Sequence, residues 1–235
     1  MLPQDTSSLA LEYLRLWEAH GLDFLEGLTN KKDSIEALLN SAPVETQRVE
    51  SLESIREELG DCRRCGLCEA RKQIVFGQGN PKARLMFVGE GPGADEDEQG
   101  LAFVGQSGQL LTKILEAMKT AREEVFIANI VKCRPPGNRM PEPAEVEQCL
   151  PFLQRQVRSV SPQVIVALGS TAASTLLGTS QSLSTLRGKP QPLPWLPDVM
   201  VVPTFHPAYL LRTPDAKRLV WEDMKMVLQL LGSST

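Results

Sequence analysis

Arg84–Asp97 reads RLMFVGEGPGADED: an unbroken apolar run that ends in alternating glycines and then in acids. A run with no polar alternation suits a strand buried on both faces, as in a parallel sheet. The same pattern recurs at Val125–Val131 (VFIANIV), Val164–Gly169 (VIVALG) and Val199–Phe205 (VMVVPTF). Helical patterns separate these runs. They cover Gly108–Lys119, Ala144–Val160 with an interruption at Pro151, and Ser170–Leu177 with Ser170 as N-cap and Gly178 as stop. Pro214–Leu231 closes the chain as an amphipathic helix. Strand–helix alternation of this kind predicts a three-layer α/β/α domain. Ligands of such sheets bind outside the carboxyl ends of the strands. All four ends carry unusual loops here: GEGPGADED, N-x-x-K-C-R-P-P, G-S-T-A and F-H-P-A-Y.

Upstream of this pattern the character changes. Residues 7–20 place Leu9, Tyr13, Leu16 and Trp17 on one helical stripe, with Gly21 as C-cap. A second short helix is expected at 33–40, and 41–50 (SAPVETQRVE) reads as a linker. Ser54 opens a capping-box sequence, S-I-R-E, before the first cysteines. The expected organisation is an N-terminal helical extension and linker at 1–50 and one functional domain at 51–235. No apolar run approaches the ~20 residues of a membrane span, and the N-terminus has no secretory pattern. The expectation is a soluble, cytoplasmic protein. A net charge of −4 weighs against a nucleic-acid partner, but the imbalance is local. Residues 1–50 hold nine acids and four bases, leaving 21 bases against 20 acids in the remainder. A near-neutral body leaves room for a basic face.

The five cysteines narrow the chemistry. Cys62 and Cys65 form a C-x2-C, Cys68 follows two residues later, and Cys133 and Cys149 lie far downstream. A near pair plus two distant thiols is the spacing of four-thiolate coordination, either a tetrahedral zinc site or a cubane iron–sulfur cluster. Five thiols compete for four places, and Cys68 reads as a small half-buried residue on the turn after Cys65. The other reading, buried free thiols or disulfides, loses its disulfide half in an intracellular chain.

The strand-end loops supply further candidates. The Gly89–Asp97 loop lacks the G-K-[ST] of a phosphate cradle, has the wrong spacing for G-x-G-x-x-G, and is followed by acids that repel phosphate. It fits a small uncharged ligand that needs a carboxylate, or else an acidic solvated turn. Phe103, between glycines in GLAFVGQSG, is either a stacking platform for a base or a plug over the sheet edge. Asn129 interrupts an apolar strand. Its amide presents a donor and an acceptor that can read a pyrimidine edge, or it bonds a neighbouring loop. His206 precedes Pro207, which favours an extended backbone and projects the imidazole from the strand tip.

Taken in order, VGEGPGADED, GLAFVGQSGQLL, NIVKCRPPGNRMP and HPAYLLR, downstream of the C-x2-C, resemble family 4 uracil-DNA glycosylases, the iron–sulfur members of bacteria and archaea. The similarity runs from about Ser54 to the C-terminal helix. The resemblance implies a central four-stranded parallel sheet flanked by helices. It implies a [4Fe–4S] cluster on Cys62, Cys65, Cys133 and Cys149, with no place for Cys68. It also implies site roles: Glu90 for the attacking water, Gly91 beside it, Phe103 stacked on uracil and Asn129 on its edge. Glu96 would lie near pyrimidine C5, His206 near O2, and Asn138 would be a further contact. The chain lacks the inserted basic loop of a subgroup that traps its product covalently, so ordinary turnover is expected. Base flipping would use Leu210 or Leu211 as a wedge and Arg212 on phosphate. The implied partner is uracil-containing DNA, single- or double-stranded, bound by a monomer associated with the nucleoid. Residues 1–50 would engage an unidentified protein. The competing readings are a non-catalytic iron–sulfur damage sensor, a zinc-stabilised nucleotide-binding module, and a scaffold built on the N-terminal helices.

Overall fold

Four strands, β2 (Leu85–Gly89), β3 (Phe126–Asn129), β4 (Val164–Leu168) and β6 (Leu196–Thr204), pair in parallel in the order β3-β2-β4-β6. Two short strands, β1 (Gln78–Gly79) and β5 (Gln191–Leu193), add antiparallel edges, on β3 and β6 respectively. The sheet is therefore six-stranded and mixed, which corrects the four-stranded parallel expectation at its edges. The edge strands are two and three residues long, too short to leave a periodic signal in sequence. The computed structural model describes residues 50–232. The stripe at 7–20, the helix at 33–40, His20 and the linker as far as residue 49 lie outside the described residues.

Strand geometry sends alternate side chains to opposite faces, and both faces here are apolar. Met86 and Val88 of β2, with Ile165 and Ala167 of β4, pack beneath Leu153 and Val157 of α4 (Pro143–Val160) and Ala172 and Leu176 of α5 (Ser170–Leu177). Leu85 and Phe87, with Val164 and Val166, pack beneath Leu111 and Leu115 of α3 (Gln106–Ala117) and Val220 and Met224 of α8 (Lys217–Leu230). This is the three-layer arrangement read from the runs. A smaller cluster docks α1 (Leu52–Leu59) through Ile55 and Leu59 onto Phe76 and Phe152.

Several helices differ from expectation. The helix α1 is capped by Ser51, whose Oγ accepts from the Ser54 N–H at 3.1 Å, so Ser54 lies inside the first turn rather than opening it. The helix α4 passes through Pro151 without a break. Pro151 sits on the exposed face, where the carbonyl it leaves unbonded faces water rather than core. Gly169, not Ser170, caps α5, at φ 95°. The acidic run after Gly93 is not a loop but a short helix, α2 (Ala94–Gln99), capped at its C-end by left-handed Gly100. Acids in a first turn face the positive end of the helix dipole.

Asp223 of α8 is buried and accepts from Thr204 Oγ1 at 2.5 Å and from Arg187 at 2.7 and 3.0 Å. Arg187, the C-cap of α6 (Leu183–Leu186), in turn lies over the Phe205 ring, 4.4 Å from its centroid. Removing one partner of a buried ion pair leaves the other uncompensated. Asp223→Ala is therefore expected to lower stability by about 3–5 kcal/mol, measured as the shift in the denaturant midpoint, whereas exposed Asp215→Ala should leave it unmoved.

Candidate active site

Parallel strands bring their carboxyl ends to one edge. There Glu90 and Gly91 after β2, Asn129 at the end of β3, Gly169 after β4 and His206 after β6 line one cleft of about 440 Å³, together with Phe103, Glu96, Asn138 and Arg212. Seven of the expected site residues plus Arg212 are thus gathered from segments more than a hundred positions apart.

Asn129 is 1% exposed, and neither its Nδ2 nor its Oδ1 has a hydrogen-bond partner among the described residues. Leaving such a group unpaired costs on the order of 1–3 kcal/mol. An orphaned amide facing a cleft is a group arranged for a ligand. Gly89 makes its placement sterically feasible. A Cβ there would stand 2.5 Å from Asn129 Oδ1 and 2.6 Å from Phe103 Cζ.

Phe103 adopts φ 53°, a left-handed conformation costly for a bulky residue. Its backbone is held open by Arg122, whose Nη2 donates to the carbonyls of Ala102 and Phe103, both at 2.7 Å. Gly108 is required behind it, since a Cβ would fall 1.8 Å from the Phe103 carbonyl oxygen. The Phe103 ring faces the His206 imidazole at 5.6 Å between centroids.

His206 caps α7 (Pro207–Arg212): its Nδ1 accepts from the Ala208 N–H at 3.1 Å. An accepting Nδ1 places the proton of the neutral ring on Nε2. Burial pushes the imidazole pKa down to about 4, the Arg212 charge acting in the same direction and Glu96 against it. The ring is therefore a neutral donor at physiological pH.

The two carboxylates differ in their surroundings. Glu90 accepts from the Thr171 hydroxyl at the start of α5. Glu96 accepts three backbone N–H groups, from Val104 and Gly105 at 2.9 Å and from Gly93 at 3.1 Å. It clamps the first glycine loop to the Phe103 loop. Gly91 passes Val131 closely enough that a Cβ would lie 2.9 Å from Val131 Cγ2. Asn138, at φ 57°, accepts from Arg134 Nε at 2.8 Å.

The wedge candidates separate. Leu210 is 1% exposed and belongs to the core beneath α3 and α8, which removes it from any DNA-facing role. Leu211 is 45% exposed. Helical rotation accounts for the difference, since adjacent residues on a helix face directions about 100° apart.

Cys62, Cys65, Cys133 and Cys149 line a second, small cavity, and Cys68 does not. Arg71 Nη1 donates to Cys133 Sγ at 3.3 Å, Arg64 Nη1 to Cys62 Sγ at 3.4 Å, and the Lys132 backbone N–H to Cys149 Sγ at 3.2 Å. Burial pushes the Cys133 thiol up to about 11 and raises Cys65 and Cys149 as well. Donors aimed at sulfur are what a charged thiolate in such a place requires. Among the described residues, no three His, Cys, Asp or Glu side chains converge on a single-ion position.

The family profile of the Uracil DNA glycosylase superfamily matches residues 76–225. Type-4 uracil-DNA glycosylase from Thermotoga maritima is 45% identical over 181 residues, covering 76% of this chain and 93% of the relative. Those of Archaeoglobus fulgidus and Sulfurisphaera tokodaii are 41% and 40% identical, over 78% and 77% of this chain and 95% and 86% of their own lengths. The chain belongs to the type-4 uracil-DNA glycosylases.

Within this type-4 frame, some residues around the cleft had escaped the sequence reading. Thr171 lies in the G-S-T-A loop that sequence marked as unusual, but its bond to Glu90 spans two strand ends. Tyr209, on the cleft rim, stacks on Phe205 at 4.9 Å. Arg122 carries no local signal, because its importance comes from the backbone strain 19 positions away.

The depressed His206 pKa has a measurable consequence. Between about pH 6.5, where the unfolded imidazole takes up its proton, and about pH 4, where the folded one does, the unfolded state binds the extra proton. Stability should fall as pH falls through that window, and His206→Gln should flatten the slope in pH-dependent denaturant unfolding.

Proposed function

We propose that the cleft excises uracil from DNA by hydrolysing its N-glycosidic bond, the opening step of base-excision repair. The observation that carries this reading is the Asn129 amide, unpartnered among the described residues, in the cleft that the Phe103 ring and the His206 imidazole also line. Uracil presents O4 as acceptor beside N3–H as donor, which one carboxamide satisfies with Nδ2–H and Oδ1. Cytosine presents the opposite pattern and leaves both atoms mismatched. A base inside the duplex stack is out of reach, so the nucleotide is flipped out, at a few kcal/mol. Exposed Leu211 is the surface wedge, and Arg212 takes a phosphate.

Phe103 stacks on the flipped base. The C1′–N1 bond breaks with its electron pair leaving on the base, giving a uracil anion and an oxocarbenium-like sugar. His206 Nε2–H donates to the charge that develops on O2. A neutral imidazole is already in place as donor, which is the preorganisation that makes such a bond catalytic. Glu90, steadied by Thr171, orients water toward C1′ and offsets the cationic sugar. Glu96, held by three N–H groups, is a fixed wall on the C5 side, where the methyl of thymine would intrude. Gly91 and Asn138 border the base.

The four cysteines of the second cavity fit a [4Fe–4S] cluster by their donor set: four sulfurs on one cavity, three of them already receiving N–H donors. When bound, the cluster supplies a cross-link between the Cys62–Cys65 turn and the downstream cysteines. Hydrolysis is redox-neutral, so the contribution assigned to it is structural. The reading extends to a monomer acting in the cytoplasm at the nucleoid, with residues 1–50 as a separate unit that contacts a protein partner.

Base release from uracil- and thymine-containing oligonucleotides tests the site. In single-turnover assays with saturating DNA, His206→Ala should cleave about 10²-fold more slowly or worse, the scale for one oxyanion donor. Wild-type rates in that variant would misplace the site. The cluster assignment predicts that iron content and visible absorbance disappear in Cys62→Ser, Cys65→Ser, Cys133→Ser and Cys149→Ser, and persist in Cys68→Ser. Loss in Cys68→Ser with retention in Cys149→Ser would reverse it.

A further inference from the structure

Lys132 is 1% exposed, among the largest fully buried side chains of the protein. An ammonium so placed persists only with dedicated partners. It has two. Its Nζ donates to the Asn129 carbonyl at 2.8 Å and to Gln156 Oε1 at 2.6 Å. Gln156 is itself fixed, since its Nε2 donates to the Phe76 carbonyl at 2.8 Å. The backbone N–H of the same lysine donates to Cys149 Sγ, and the next residue is Cys133. One residue thus touches both the sulfur cavity and the base-reading strand end.

The partner it holds is the peptide that aims Asn129. The carbonyl of the Asn129–Ile130 peptide is taken by Lys132, and its N–H donates to the Gly89 carbonyl at 2.9 Å. Both polar ends of that peptide are therefore pinned. The Asn129 side-chain amide has no protein partner of its own among the described residues. With no hydrogen bond on the side chain, its direction is set by the backbone that carries it and by the packing of Gly89 and Phe103. We propose that Lys132 is a positioning residue that locks the Asn129 amide in its base-reading orientation and ties that orientation to the cysteine cage. A purely space-filling lysine would need no acceptor at the Asn129 carbonyl. A purely cage-neutralising one would point its ammonium at sulfur, whereas here only its backbone N–H does so.

The inference rests on Asn129 reading uracil, and the test separates the two. Free uracil binding is measured by calorimetry, and undamaged-duplex binding by fluorescence anisotropy, for full-length protein. Lys132→Met keeps the side-chain length and removes the charge. It should weaken uracil binding about tenfold, leave undamaged-duplex affinity within about twofold, and add no further loss in an Asn129→Ala background. Iron content and the visible spectrum, read on the same samples, should be retained. Equal losses in both backgrounds, or unchanged uracil affinity in Lys132→Met, would overturn the proposal. If Lys132→Met does not fold, Gln156→Met loosens the ammonium from its far side. It should lower uracil affinity in the same direction, and an unchanged value would count against the lysine. A wild type that binds no uracil would sink the reading of Asn129 and the positioning role with it.

Discussion

Gly89 and Asn129 are register partners across the parallel β2–β3 pair, and the cleft depends on that pairing. The register puts the amide beside the one residue type that leaves it room. Any side chain at 89 would collide with both Asn129 and Phe103. Close approach of two loops and a strand end is thus decided by a hydrogen. Because β4 and β6 continue the same parallel order, His206 and the Thr171 that holds Glu90 arrive at the same edge with no further device. The antiparallel edge strands lie outside this logic and serve to finish the sheet.

The site carries several costs at once, and each has a partner elsewhere. The left-handed backbone of Phe103 is balanced by two carbonyl bonds to Arg122. The buried carboxylate of Glu96 is matched by three backbone donors. Asn129 is the exception: the peptide that follows it is bonded at both polar ends, and its side chain has no partner among the described residues. A protein that satisfies its loops so thoroughly and leaves one amide open concentrates its unspent hydrogen-bonding capacity at a single point. On the proposed reading, a base with the wrong edge is rejected there, since binding it would bury mismatched groups.

The two cavities are linked by the Lys132–Asn129 hydrogen bond, Lys132 lining one and Asn129 the other. Arg71 reaches Cys133 and the Cys62 carbonyl, and Lys132 spans from Cys149 to the end of β3. The segment running from Asn129 through Cys133 to Asn138 therefore contributes to both cavities within ten residues.

The sequence by itself determined the layer architecture, because four apolar runs without alternation can only be covered on both faces. It also singled out the cysteines, since two near and two distant thiols leave few coordination schemes, and it marked Phe103, Asn129 and His206 as residues out of character with their surroundings. Short-range information could not reach further. Edge strands of two or three residues carry no period, and a proline on an exposed helix face is tolerated for reasons visible only once the face is known. Leu210 and Leu211 are chemically identical neighbours, and only the rotation of α7 against the core put one inside and the other at the surface. The partners of Phe103, Glu90 and Asn129, namely Arg122, Thr171 and Lys132, were decided by tertiary structure alone. Hydrogen bonds between segments distant in sequence follow from where the strands deliver them, not from any pattern along the chain.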